Sequence, residues 1–203
     1  LRVGGTMRRG MLLLALFLAA CGDEAPEGDD PPDGENLIRV SLGVTGNDDG
    51  RIYALLMRCS RVIVKMSDGD DIVGPAWNAD VLRGAFLLER RSDALPREVE
   101  LRFEHPPDGS GVVPGEELAV FVGGLVEEEA FEYRAEELES ASVTVTTPRI
   151  DLRFDVSRWL NGLTRASFEG QQPYRVDEQN NEQIAQDLEE VISDSLTVCS
   201  ECD

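Results

Sequence analysis

Residues 98–104 read Glu-Val-Glu-Leu-Arg-Phe-Glu, an unbroken alternation of charged and apolar side chains. Only an extended strand collects Val99, Leu101 and Phe103 on one face and the four charges on the other, because strand side chains repeat every two residues and helical ones every 3.6. A strand with one wet face belongs to an antiparallel sheet rather than to a parallel sheet buried on both sides. The same period recurs at Ile38, Val40, Leu42 and Val44, and at Ile150, Leu152, Phe154 and Val156. Further apolar segments at 52–57, 61–66, 81–88, 117–122 and 142–146 are separated by turn chemistry such as Asn47-Asp48-Asp49-Gly50 and Ser67-Asp68-Gly69-Asp70. No strand–helix–strand rhythm appears. The expectation is a mainly β chain, an antiparallel β-sandwich of about eight strands.

One stretch departs from that period. In 178–196, Ile184, Leu188, Val191 and Ile192 fall at i, i+4, i+7 and i+8, the spacing of a helix with one apolar face. Asp177 is the expected N-cap, and Glu182, Gln186, Asp187, Glu189 and Glu190 form the polar face. The helix is expected to pack by its apolar face across the sandwich. Residues 127–139 hold seven glutamates in thirteen positions, a density that suits a helix coat or the wet side of a strand pair, and read as a solvated face.

The first 21 residues have a different logic. Met7-Arg8-Arg9-Gly10 is a short positive segment, followed by an apolar run from Met11 to Ala20 that ends at Cys21. Ten apolar residues are too few to cross a hydrocarbon core, which needs about 20, but suit the apolar region of an export signal. Leu18-Ala19-Ala20-Cys21 resembles the lipobox of bacterial lipoproteins, which implies cleavage before Cys21 and fatty acylation of that cysteine, palmitate included. Several acyl chains anchor a protein far more firmly than one. Leu1 to Thr6 is read as lying upstream of a start at Met7. The resemblance implies residues 1–20 as signal peptide, a lipid membrane as the partner of acylated Cys21, and a place in the bacterial cell envelope. Gly22, rather than an aspartate, follows the cysteine, which by the same resemblance favours the outer membrane, facing the periplasm or the cell surface.

Residues 21–36 are expected to be a tether. Positions 22–36 carry seven acids, three prolines and three glycines with no large apolar side chain. Such a composition cannot bury enough surface to offset the entropy of ordering it, and its charges repel one another. Fully extended, it spans about 50 Å. The folded domain is then 37–203.

Charge excludes one class of partner. There are 19 Lys and Arg against 40 Asp and Glu, a net of −21; without residues 1–20, which hold three arginines and no acid, 16 basic groups face 40 acids, a net of −24. Nucleic-acid binding depends on cationic side chains at phosphates, so this excess argues against DNA or RNA. An envelope protein is the expected partner.

The order of elements across 37–196 resembles uncharacterised extracytoplasmic lipoproteins with a transthyretin-like or immunoglobulin-like β-sandwich. The cues are a strand after Cys59, Asp71-Ile72-Val73-Gly74-Pro75, a hydrophobic segment near Val81, and Asp155-Val156-Ser157-Arg158-Trp159-Leu160 followed by Asn180-Asn181 and the helix. The aspartate–aliphatic–Trp segment is also similar to extracytoplasmic copper-associated proteins, without enough further likeness to carry over a metal role.

With Cys21 acylated, Cys59, Cys199 and Cys202 remain in an oxidising compartment and make at most one internal bridge. The leading expectation pairs Cys59 with Cys199 or Cys202; such a bridge closes a loop of about 140 residues and removes roughly 4 to 5 kcal/mol of unfolded-state entropy. The alternatives are a local Cys199–Cys202 bridge and, last, redox or metal work by Cys199-Ser200-Glu201-Cys202. A redox pair wants a helix N-terminus, whereas this one follows a helix.

The catalytic inventory is thin. His105, the one histidine, lies at a strand end running into Pro106-Pro107-Asp108-Gly109 and is read as a loop residue. No G-x-S-x-G elbow, H-E-x-x-H helix or phosphate-binding glycine loop occurs. Asn47-Asp48-Asp49-Gly50 and Asp68-Gly69-Asp70-Asp71 offer oxygens of the kind calcium takes but lack the twelve-residue loop pattern, and are read as turns. Trp159 is expected as a core or edge plug, and Trp77 as the more exposed aromatic, in a loop. The sequence reading is a non-enzymatic binding or scaffolding module without cofactor. A calcium- or copper-binding module is the alternative, and an envelope hydrolase comes third.

Overall fold

Wherever apolar and polar residues alternate, the chain is extended. The computed structural model describes residues 35–104, 111–114 and 116–199. Its first strands are β1 (Asn36–Thr45), β2 (Ile52–Cys59), β3 (Arg61–Met66), β4 (Ile72–Val73) and β5 (Trp77–Asp80). A 3-10 turn, Val81–Arg83, leads to β6 (Ala85–Ser92) and β7 (Pro96–Phe103). Then come β8 (Val120–Val126), β9 (Glu129–Ala135), β10 (Leu138–Thr144) and β11 (Arg149–Asp155). The described chain ends with β12 (Tyr174–Val176), the helix α1 (Glu182–Asp194) and β13 (Leu196–Val198).

These thirteen strands form three open sheets, ordered β13-β11-β1-β6, β10-β7-β3-β4 and β12-β9-β8-β2-β5. The described residues are mainly β with one α-helix, and the open sheets are consistent with a sandwich. More strands are present than the eight expected, because long apolar runs are divided between sheets and short edge strands lack a sequence period. Two pairings run parallel, β1 with β11 and β9 with β12; each joins strands far apart in the chain, where no hairpin dictates direction.

The division is clearest at Ser60. The Arg58 N–H donates to the Ala119 carbonyl at 2.7 Å, and two residues later the Ser60 N–H donates to the Arg102 carbonyl at 2.7 Å. One continuous run of chain thus serves the five-stranded sheet as β2 and a four-stranded sheet as β3. Val99, Leu101 and Phe103 are buried as their alternation requires, in one core with Leu55, Met57, Leu152 and Phe154. Where β8 meets β9, a Cβ on Gly124 would lie 2.4 Å from the Phe131 ring. Glycine is therefore what lets Phe131 lie flat on its neighbour strand.

The glutamate-rich stretch is the wet side of a strand pair, with none of its seven glutamates buried, and it opens on a hairpin turn. Val126 pairs with Glu129, leaving Glu127 and Glu128 as a two-residue turn with φ of 52° and 71°. This left-handed geometry is the one that twists a tight hairpin correctly, although it normally selects Asn or Gly. The following segment is fastened to that hairpin. Phe168 stacks between Phe131 and Tyr174, at centroid distances of 5.9 and 5.1 Å. The Arg165 N–H donates to Glu127 Oε2 at 3.0 Å, and its guanidinium meets Glu129 at 3.0 Å.

Helix α1 starts at Glu182, later than expected, because Asp177 is occupied elsewhere. Its Oδ1 accepts from the N–H groups of Gln179 and Asn180, at 2.9 and 2.8 Å, and its Oδ2 pairs with Arg175. Asp177 therefore closes a turn instead of capping the helix. Asn181, at φ 56°, takes the position before the helix; its side chain accepts from the Glu169 N–H and donates to the Arg175 carbonyl, both at 2.7 Å. Ile184, Leu188 and Ile192 are buried as their spacing predicts, with Ala185 beside them. Among the described residues, no helix is long and apolar enough to cross a membrane.

Candidate functional site

The end of β9, the turn from β12 into α1 and one stripe of α1 enclose a cleft of about 430 Å³. Strand geometry places Tyr133 on the core side of β9, opposite Val122 of β8 and Val176 of β12. Its side chain is 2% exposed and lines the cleft. Among the described residues the Tyr133 hydroxyl has no hydrogen-bond partner, and it is not one of the unpaired polar atoms closed off from solvent, so it is open to the cleft. Burial, and then the charge of Glu189, hold its ionisation above the ordinary tyrosine range.

On α1, Glu182, Ala185, Gln186 and Glu189 stand at i, i+3, i+4 and i+7, so the helix turns one continuous stripe to the cleft. Gln186 donates to Glu182 at 3.2 Å. Burial raises the Glu189 carboxyl above its usual range, and the nearby charges of Glu137, Glu139 and Glu178 push the same way against one backbone hydrogen bond at Glu139.

Two cations border the cleft, and both are already held by carboxylates. Arg134 is bound by Glu116 at 2.6 Å and Glu132 at 2.7 Å, with its guanidinium 5.7 Å from the Phe121 ring centroid. Arg175 pairs with Asp177, whose carboxyl burial would raise; the hydrogen bonds from Arg175, Asn180 and Gln179 outweigh burial and hold it low. Glu137, Glu178 and Glu189 stand in no ion pair among the described residues. The lining therefore keeps an excess of negative charge beside the apolar contacts of Leu118, Ala135 and Ala185. Such a surface attracts a cation with an apolar stem and repels anions.

The residues singled out in the sequence lie elsewhere. Cys21, His105 and Cys202 fall outside the described residues. The bridge expected from Cys59 is not formed: Cys59 is a free, fully buried thiol whose Sγ–H donates to the Arg61 carbonyl at 2.8 Å. The reason is topological, since Cys59 ends a strand of the five-stranded sheet while Cys199 follows β13 at the edge of another. Cys199 is disulfide-bonded. Trp159 is buried, edge-on to Phe154 at 6.1 Å, and donates to Ser195 Oγ at 2.9 Å. Trp77 does not sit in a loop: it opens β5, packs partly against the core, and its indole nitrogen is inaccessible and without a partner. The exposed aromatic of that region is Phe86, at 63%.

The two acidic turns spend their oxygens on the backbone. Asn47 Oδ1 accepts from the Ile52 N–H at 3.1 Å, Asp68 from the Asp70 N–H at 3.1 Å, and Asp71 from the Met66 N–H at 3.1 Å. Among the described residues no group of three or more His, Cys, Asp or Glu is placed to hold a metal ion. Tyr133 and Glu189 were not singled out in the sequence. Glu189 was visible as part of a polar helix face, but nothing local shows which carboxylates a helix will turn toward a strand end. Comparisons with protein-family models, with curated proteins and with solved structures each give no match.

Proposed function

We propose that the chain is a lipid-anchored envelope protein whose β-rich domain binds another component rather than catalysing a reaction. The observation that carries this reading is the order of the N-terminal sequence: Arg8-Arg9, ten apolar residues, Cys21, and an acidic Pro/Gly-rich stretch that gives way to β1 at Asn36. Acylated Cys21 holds the domain at the membrane, preferentially the outer one, on a tether of up to about 50 Å. The likeness to uncharacterised extracytoplasmic lipoproteins supports the same address. An oxidising compartment also suits a local bridge between Cys199 and Cys202, with Cys59 kept reduced by burial.

The test is expression of the full chain in a bacterial host fed a tagged palmitate, followed by fractionation. The wild type is expected in the membrane fraction carrying the label, and Cys21→Ser is expected without it. An unlabelled wild-type chain recovered from the cytosol overturns the reading.

A further inference from the structure

We infer that the cleft between β9, the β12–α1 turn and α1 is a binding site for a small aliphatic amine, with Tyr133 and Glu189 as its central polar contacts. The inference deepens the reading of the domain as a binding module and rests on that reading, but not on lipid anchoring.

Three independent features converge on this ligand class. First, the Tyr133 side chain is 98% buried, lines the cleft and has no hydrogen-bond partner among the described residues, while its hydroxyl is not one of the unpaired atoms closed off from solvent, so the hydroxyl is open to the cleft and available to a ligand. Second, Glu178, Glu182 and Glu189 face the cavity while Arg134 and Arg175 are neutralised by other carboxylates, so a cation is favoured. Third, the carboxylates are spread along the cleft rather than gathered on one point: no three of the described ligand-type residues can share a metal ion. An extended cation meets that distribution, its ammonium groups reaching separate carboxylates and its methylenes lying on Leu118, Ala135 and Ala185. A volume of about 430 Å³ is in the range of small-molecule sites. Charge-assisted hydrogen bonds in such a setting are worth more than neutral ones.

The experiment is isothermal titration of the full, detergent-solubilised chain with spermidine. Parallel arms use 1,8-octanediol as a neutral isostere and calcium and magnesium chlorides as metals. Binding of one spermidine per chain is expected, weakened about tenfold by Glu189→Gln and by a smaller factor, about threefold, by Tyr133→Phe, which keeps the ring. The diol is expected not to bind. Melting temperatures of both variants check that the fold is retained. Absence of heat with spermidine, equal affinity in both folded variants, or displacement of spermidine by equimolar calcium each overturns the inference. Because palmitate labelling does not enter, failure here leaves the anchoring result standing, and failure of anchoring leaves this one.

Discussion

Cys59 shows how one burial decision changes the chemistry of a side chain. In the sequence it is a thiol in an exported chain, available for a long-range bridge. In the fold it is buried at the end of β2 with its S–H donated to the Arg61 carbonyl, and burial pushes its ionisation from about 9 up to about 12. The folded thiol therefore holds its proton over a range in which the unfolded one releases it. Its contribution is complete below pH 9 and is lost as pH rises toward 12, at about 1.4 kcal/mol per pH unit. Between those limits the stability advantage of the wild type over Cys59→Ala, measured by urea unfolding, is expected to shrink with this slope. A difference that stays constant with pH would show a thiol open to water. Nothing local in Met57-Arg58-Cys59-Ser60 distinguishes a buried thiol from a bridged one, because the distinction depends on which sheet faces the cysteine.

Among the elements, the β8–β9 hairpin is the place where local sequence and fold disagree. Glu127 and Glu128 adopt left-handed conformations that cost an ordinary side chain about 1 kcal/mol or more. Glu127 is tied to the Arg165 backbone, whereas Glu128 is exposed and bears only the strain. Glu128→Gly is accordingly expected to stabilise the protein by about 0.5–1 kcal/mol in denaturant titration, since glycine enters this region freely and the gain exceeds its added chain entropy. A loss of stability would place the turn in another geometry. The strand period of Val99, Leu101 and Phe103 and the helical period of Ile184, Leu188 and Ile192 were legible because burial repeats along the element itself. Edge strands such as β4, β5 and β12 were not legible: two to four residues do not make a period, and their only support is a neighbour distant in sequence.

For the whole molecule, charge is the dominant unspent term. With 40 acids and 19 bases, repulsion acts across the entire surface in the folded state. Added salt shortens the screening length from about 14 Å near 0.05 M to about 4 Å near 0.5 M, which relieves repulsion more than it weakens the few exposed ion pairs. The melting temperature is expected to rise by about 2–4 °C over that range, roughly 1 kcal/mol for a chain of this size. A fall would mean that paired charges outweigh the excess. By itself, the sequence determined the mainly β class, the single amphipathic helix, the acidic surface and the expectation of an acylated leader, because each is a property of adjacent residues or of composition. The tertiary structure alone decided that Cys59 stays unbridged, that β2 and β3 are one run shared by two sheets, and that Tyr133 and Glu189 line one cleft. Those outcomes depend on how separate elements meet in space, and packing between distant segments leaves no mark on the local pattern of either.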